Sequence, residues 1–353
     1  MNNISFLNEF LLVGIIFILF IFIISIFGYF FLSIIRKKSD YDILKKPNLI
    51  LERFLISFGI GISIYISYGY ILNLFKIFNF FTAYLFILFF DIFFLISYLL
   101  IESKRRFFLN SFKIRFRNFF LNKRKIIPMM TVLIILILSF LLYWNIITVS
   151  VGLIWRDPYS WYKKIFYLLD NGSISDVGLG VGYPSGYVFI TSGFSLIRPD
   201  HLTVYFFIKI SSIYFLFLYI IISFLILKHI FKKNYLIYIS LLLIYLSNFF
   251  LERNIMNLPS SFATILVLIS ILLVVKGYPL YMQGFFLTAL FLIHRLTFGF
   301  YFIVIVAYIL FKIFLNLRNR KLVFKELSSI FSMLIINIIL LIPFILNYPE
   351  DIL

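Results

Sequence analysis

The feature that most constrains this chain is a series of apolar runs, each about twenty residues long, separated by short charged or turn-forming stretches. As a helix, a run of that length matches the hydrocarbon thickness of a bilayer and satisfies its own backbone N–H and C=O groups where no water reaches them. The runs lie near residues 9–35, 54–75, 79–101, 127–148, 203–227, 235–251, 257–275, 279–293, 296–315 and 328–347. They predict an all-α, polytopic integral membrane protein with about ten transmembrane helices. Composition agrees, because 63% hydrophobic and 22% aromatic residues exceed what a soluble domain can cover with polar surface. The first run is too long for a signal-peptide core and has no basic lead or small-residue cleavage site, so a retained anchor is expected. The stretch 279–315 is too long for one span, and His294 with Arg295 in its middle predicts a tight turn between two short helices. One broken helix is the alternative.

Charge gives the orientation. Only 13% of residues are charged, yet the formal net charge is +18, and the basic residues alternate between loops. Arg36, Lys37, Lys38, Lys45 and Lys46 follow the first run, and a dense set from Lys104 to Lys125 follows the third. Lys228, Lys232 and Lys233 follow the fifth, Lys276 the seventh, and Arg318, Arg320, Lys321 and Lys325 the ninth. By the positive-inside rule these loops are cytoplasmic in a plasma (cell) membrane. The N-terminus, 149–201, Glu252 with Arg253, His294 with Arg295, and the tail 348–353 then lie outside. Basic clusters interleaved with apolar spans suit lipid headgroups, and nucleic acid is not expected as a partner. Cysteine is absent, which removes disulfides, thiolate metal sites and a cysteine nucleophile.

The one long hydrophilic stretch that is not dominated by basic residues is 149–201, directly outside the fourth span. Asp157 before Pro158 reads as a helix start, the carboxylate capping free N–H groups and the proline at the first helical position. An amphipathic helix over 159–169 follows, expected to turn Trp161, Phe166 and Leu169 to lipid and Lys163 and Lys164 to headgroup phosphates. Asn171 and Gly172 end it. Pro184 opens a second apolar stretch, 187–197, too short to span and expected as a re-entrant or surface helix. A carboxylate held at a membrane surface beside a phospholipid-like donor can deprotonate an acceptor hydroxyl or bind a divalent cation, and Asp157 is that candidate. The plainer reading makes Asp157 an N-cap only, and Asp170 and Asp176 turn residues.

The order of Asp157, Pro158 and Tyr159, a following aromatic and basic helix, Asn171 and Gly172, Asp176, then Tyr183, Pro184, Ser185 and Gly186 resembles the first external loop of type C (GT-C) glycosyltransferases. That superfamily includes protein mannosyltransferases and the catalytic subunit of oligosaccharyltransferase. The resemblance implies an enzyme, a glycosyltransferase that moves a sugar from a polyprenyl-phosphate lipid to a protein, lipid or glycan acceptor on the extracytoplasmic face. It implies Asp157 as catalytic base or metal ligand, with Mg2+ or Mn2+ as the expected divalent cation. The layout covers about 127–315, and the motif some thirty residues. Two departures stand out. The next external loop offers only Glu252, Arg253 and Asn254 where the oligosaccharyltransferase subunit has an acidic pair, and its sequon-reading Trp-Trp-Asp motif has no counterpart here. Residues 1–126 resemble the extra helices that some prokaryotic members place before this core, so the expected division is an N-terminal transmembrane module (1–126) and a transferase-like core (127–353).

Other polar residues have both a functional and a structural reading. Arg253 and Arg295 sit at predicted external helix ends, able to clamp phosphate or simply to snorkel. Arg156 can pair with Asp157 or with phosphate. His294 can assist proton transfer or hold a structural hydrogen bond, and Glu252 can serve as a second acid or pair with Arg253. Asp91 lies inside the third span and Lys209 near the start of the fifth. Two further function classes stay open: a lipid or solute transporter or flippase with 187–197 in its gate, and a noncatalytic scaffold subunit.

Overall fold

The computed structural model describes residues 3–35, 50–100, 130, 133–138, 140, 141, 144, 156–174, 185–246 and 259–348. All regular structure in them is helical: α1 (Asn3–Ile35), α2 (Ile50–Leu74), α3 (Phe80–Leu100), α4 (Arg156–Asn171), α5 (Gly186–Ser195), α6 (His201–Ile230), α7 (Asn234–Leu246), α8 (Pro259–Val275), α9 (Gln283–Ile293), α10 (Arg295–Asn316) and α11 (Arg320–Asn347). A 3-10 turn at Leu280–Met282 leads into α9. No strand occurs among the described residues.

Among the described residues, five stretches are long and apolar enough to cross a membrane: Leu7–Leu32, Leu51–Leu74, His201–Ile230, Arg295–Asn316 and Arg320–Asn347. Shorter apolar helical stretches occupy Phe80–Phe93, Asn234–Ile244, Pro259–Val275 and Leu280–Ile293. Most of the expected fourth span, and the last five residues (247–251) of the sixth, lie outside the described residues. The run 279–315 divides as the residue pattern predicts: His294 takes extended backbone, φ −156° and ψ 97°, and separates α9 from α10. The two helices fold back on each other, Phe291 meeting Phe298 edge to face and Tyr301 hydrogen-bonding across to Ser270 of α8 and Gln283 of α9.

α2 is the axis of the bundle, touched by α1, α3, α5, α8, α9 and α11. Glycines make that possible, since helices in an apolar solvent associate by close backbone approach. A Cβ added at Gly28 of α1 would lie 1.8 Å from the Ser57 carbonyl oxygen, and one at Gly61 of α2 would lie 2.1 Å from the Ile24 carbonyl oxygen. On other faces of α2, Gly59 receives the Phe286 ring and Gly69 the Phe189 ring. By contrast α10 and α11 expose rows of large apolar side chains, among them Phe300, Ile303, Phe311, Phe324, Phe331 and Ile338. A membrane protein can leave such rows to lipid.

The helix ends sort into two sets. At one end of the bundle, Glu52 of α2 meets His229 of α6 and Lys276 beyond α8, at 2.9 and 2.8 Å. At the other, the last turns of α2 and α11, the exit of α4, the start of α5 and the start of α10 come together through the contacts described next. These are the same two groups of connections that the alternation of Lys and Arg separates in the sequence.

Candidate functional site

α4 begins at Arg156, so the Asp157 and Pro158 start signal marks the helix to within a residue. Arg156, Asp157, Pro158 and Tyr159 form its first turn, and their side chains lie outside the described residues. Asp176, Tyr183, Pro184, Glu252 and Arg253 lie wholly outside them. The amphipathic pattern of α4 is real, but its apolar face has a different partner from the one expected. Trp161, Ile165, Phe166 and Leu168 are buried in the protein and not turned to lipid. Trp161 meets Tyr187 of α5 edge to face, with centroids 5.5 Å apart, and Phe166 stacks on His201 of α6 at 3.8 Å. The Tyr162 hydroxyl lies 3.2 Å from His201 Nδ1. Lys163 is exposed as expected, whereas Lys164 is half-buried with Nζ 4.7 Å above the Trp161 ring, and burial lowers its pKa. The same burial effect raises that of Tyr162.

α5, expected as a re-entrant or surface helix, is buried at every residue. It runs antiparallel to the last third of α2: Ser185 sits beside Tyr70, Phe189 on Gly69, and Gly193 beneath the Tyr65 hydroxyl. Tyr84 of α3 donates to the Gly193 carbonyl at 2.6 Å. A short helix can be enclosed this way because its glycines and serines let neighbours approach and its hydroxyls bond back to its own turns, as Thr191 to Tyr187 and Ser195 to Thr191 do.

Arg295 stands where the turn between α9 and α10 puts it. Its guanidinium lies 5.5 Å from the Phe291 ring centroid and 5.9 Å from that of Phe344, an aromatic shelf that fixes a cation by the ring quadrupoles. Its charge also acts on the neighbouring Tyr70. His294 caps α10: its Nδ1 accepts from the Thr297 N–H at 3.2 Å and lies 2.8 Å from the Thr297 hydroxyl. That is the structural reading of His294, and it aims the residue after it.

Around Arg295 lies a polar group that sequence reasoning missed. The Ser185 N–H donates to the Tyr70 hydroxyl at 2.8 Å, and Ser185 Oγ is 3.4 Å from the Tyr348 hydroxyl. One turn along α2, Asn73 Oδ1 accepts from the Ile174 N–H at 2.7 Å, and its Nδ2 donates to Asn347 Oδ1 at 2.8 Å. Asn347 Nδ2 in turn donates to the Tyr70 and Pro343 carbonyls. The only signal available in sequence was the spacing of Tyr70 and Asn73, three residues apart at the end of an apolar span and hence on one face. The triad of Glu52, His229 and Lys276 likewise has no local mark in the sequence, its members lying on three separate helices or their ends. The Glu52 carboxylate suits its helix, since it stands in the first turn of α2.

Asp91 is buried in α3, and its Oδ1 has no hydrogen-bond partner among the described residues. Lys209 lies over Tyr205 on its own helix. Among the described residues no three His, Asp or Glu side chains gather to hold a cation. Comparison with known proteins adds no identification: no family model, no curated protein and no solved structure matches the chain.

Proposed function

We propose that this chain is a membrane glycosyltransferase of the type C kind, multi-pass in the plasma membrane. It takes a sugar from a polyprenyl-phosphate donor and delivers it to a protein, lipid or glycan acceptor at the extracytoplasmic face. One observation above all supports the reading. The helix that opens with Asp157 is seated, through Trp161 on Tyr187, on the same end of the bundle where Arg295 lies fixed on its aromatic shelf. An acid and a phosphate-binding cation at one membrane-level rim are the two groups such a transfer needs. The resemblance of the 157–186 motif to the superfamily's first external loop supplies the rest of the argument.

In this reading the acceptor hydroxyl gives its proton to the Asp157 carboxylate as its oxygen attacks the anomeric carbon from the face opposite the phosphate. The anomeric C–O bond breaks, and the electron pair leaves with polyprenyl phosphate, whose added charge Arg295 meets with two parallel N–H donors. Arg156, Arg253 and His294 are proposed as further phosphate contacts and Glu252 as a second acid. Asp157 is also the proposed ligand for Mg2+ or Mn2+, and no step of the transfer is assigned to the cation. The test uses the full chain in liposomes with a radiolabelled polyprenyl-phosphate hexose and an outer-face acceptor. Asp157→Ala is expected to lower kcat about 100-fold or more, the usual worth of a general base. Full transfer by that variant would overturn the mechanism. Sugar accumulation in the vesicles without release of polyprenyl phosphate would favour a carrier.

A further inference from the structure

Tyr70, Asn73 and Asn347 form one connected unit that fastens both sides of the α4–α5 connection to the same turn of α2. Ile174, just past α4, donates its N–H to Asn73; Ser185, just before α5, donates its N–H to Tyr70. Two amides eleven positions apart in the chain thus end on side chains three positions apart in α2. Asn347, from the last turn of α11, locks the pair by bonding to the Asn73 side chain and the Tyr70 carbonyl. Tyr70 is fully buried and Asn73 nearly so, with ring contacts to Phe189, Phe344 and Tyr348 holding the Tyr70 hydroxyl in place.

We infer that Tyr70, with Asn73 and Asn347, is a positioning unit for the proposed transfer: it sets where the Asp157-bearing helix stands relative to Arg295. The inference rests on the transferase reading above. The chain of contacts runs from the Tyr70 hydroxyl to the Ser185 amide, two residues on to Tyr187, across to Trp161, and back one helical turn to Asp157. Arg295 is reached from the same tyrosine on its other side, through Phe344. None of the three residues meets a reactant in this scheme. Each acts through the backbone or ring it holds.

The test is hydrogen exchange at Ile174 and Ser185 together with transfer kinetics, on the full chain in liposomes. Tyr70→Phe removes one oxygen and leaves the ring, so it keeps the fold. It should raise exchange at Ser185 about tenfold while Ile174 stays protected, and Asn73→Ala should do the reverse. Tyr70→Phe should lower kcat about tenfold and move the donor KM by less than about twofold, because the base is misplaced while the phosphate clamp is kept. Asn73→Ala and Asn347→Ala should not add when combined. Unchanged exchange at both amides, a loss carried wholly by KM, or additive losses would overturn the proposal. Absence of transfer by the unaltered chain would remove the catalytic role along with the reading it rests on, while the exchange measurements would still decide whether the unit holds the two amides.

Discussion

Arg295 is the described residue with the most specific surroundings at the candidate site. A lysine there keeps the charge but loses the planar fork and the stacking on Phe291 and Phe344. Arg295→Lys is therefore expected to raise the donor KM and to lower kcat, each about tenfold, measured in the liposome assay. His294→Ala removes the acceptor for the Thr297 N–H and should cost about 1 kcal/mol of stability in a denaturation series. Asp200 gives a pH dependence. Burial raises its carboxyl, but hydrogen bonds from the Thr203 N–H and hydroxyl and the charge of Arg198 outweigh that and hold it below its ordinary 3.8. Its contribution to the start of α6 is thus present above that value and disappears as pH falls through the lowered one. The thermal midpoint should drop on acidification below about pH 4, and Asp200→Asn should flatten part of that drop. Arg295 and His294 were readable as candidates because each sits at a helix boundary, whereas the capping role of Asp200 emerged only from the structure. The pairing of Asn73 with Asn347 was not readable either, since the partners stand 274 positions apart and the spacing of Asn73 from Tyr70 says nothing of Asn347.

At the scale of elements, the glycine crossing of α1 and α2 makes a direct prediction. Gly61→Ala would press a methyl group against the Ile24 carbonyl, which is backbone and cannot swing aside. A loss of about 2 kcal/mol is expected, against a small effect at Gly277, where a Cβ meets nothing although the positive φ of 70° adds strain. Equal loss at both positions would show that close approach is not what Gly61 supplies. The sequence predicted the existence of α4, its apolar stripe and the exposed Lys163 opposite it, but not that Lys164 folds over Trp161. What it could not settle was the material covering the apolar face, because a stripe of Trp161, Ile165, Phe166 and Leu168 suits lipid and protein equally. Helix α5 was ambiguous for the same reason: ten apolar and small residues fit a surface or an interior, and only the neighbours, Tyr65, Phe207 and Tyr84, decide.

Over the whole molecule, the alternation of Lys and Arg predicted which connections share an end, and the contacts of Glu52 with His229 and Lys276 agree with it. The reason is that orientation is written in loop charge, which needs no tertiary information. The lack of cysteine makes this testable, since any introduced thiol is the sole target for a probe. Asn171→Cys and Lys233→Cys, both at exposed positions, should react with an impermeant maleimide from opposite sides of sealed vesicles. Labelling of both from one side would overturn the arrangement.

Backbone-to-backbone contact between α1 and α2 leaves those two rods no room to slide or roll, so they act together as a fixed axle. The α10–α11 hairpin meets the rest of the bundle along one flank only and carries the Phe344 edge of the Arg295 shelf. Its other flank is the side left to lipid, while α11 itself stays tied to the axle through Asn347, so a tether between α11 and α2 should leave turnover unchanged.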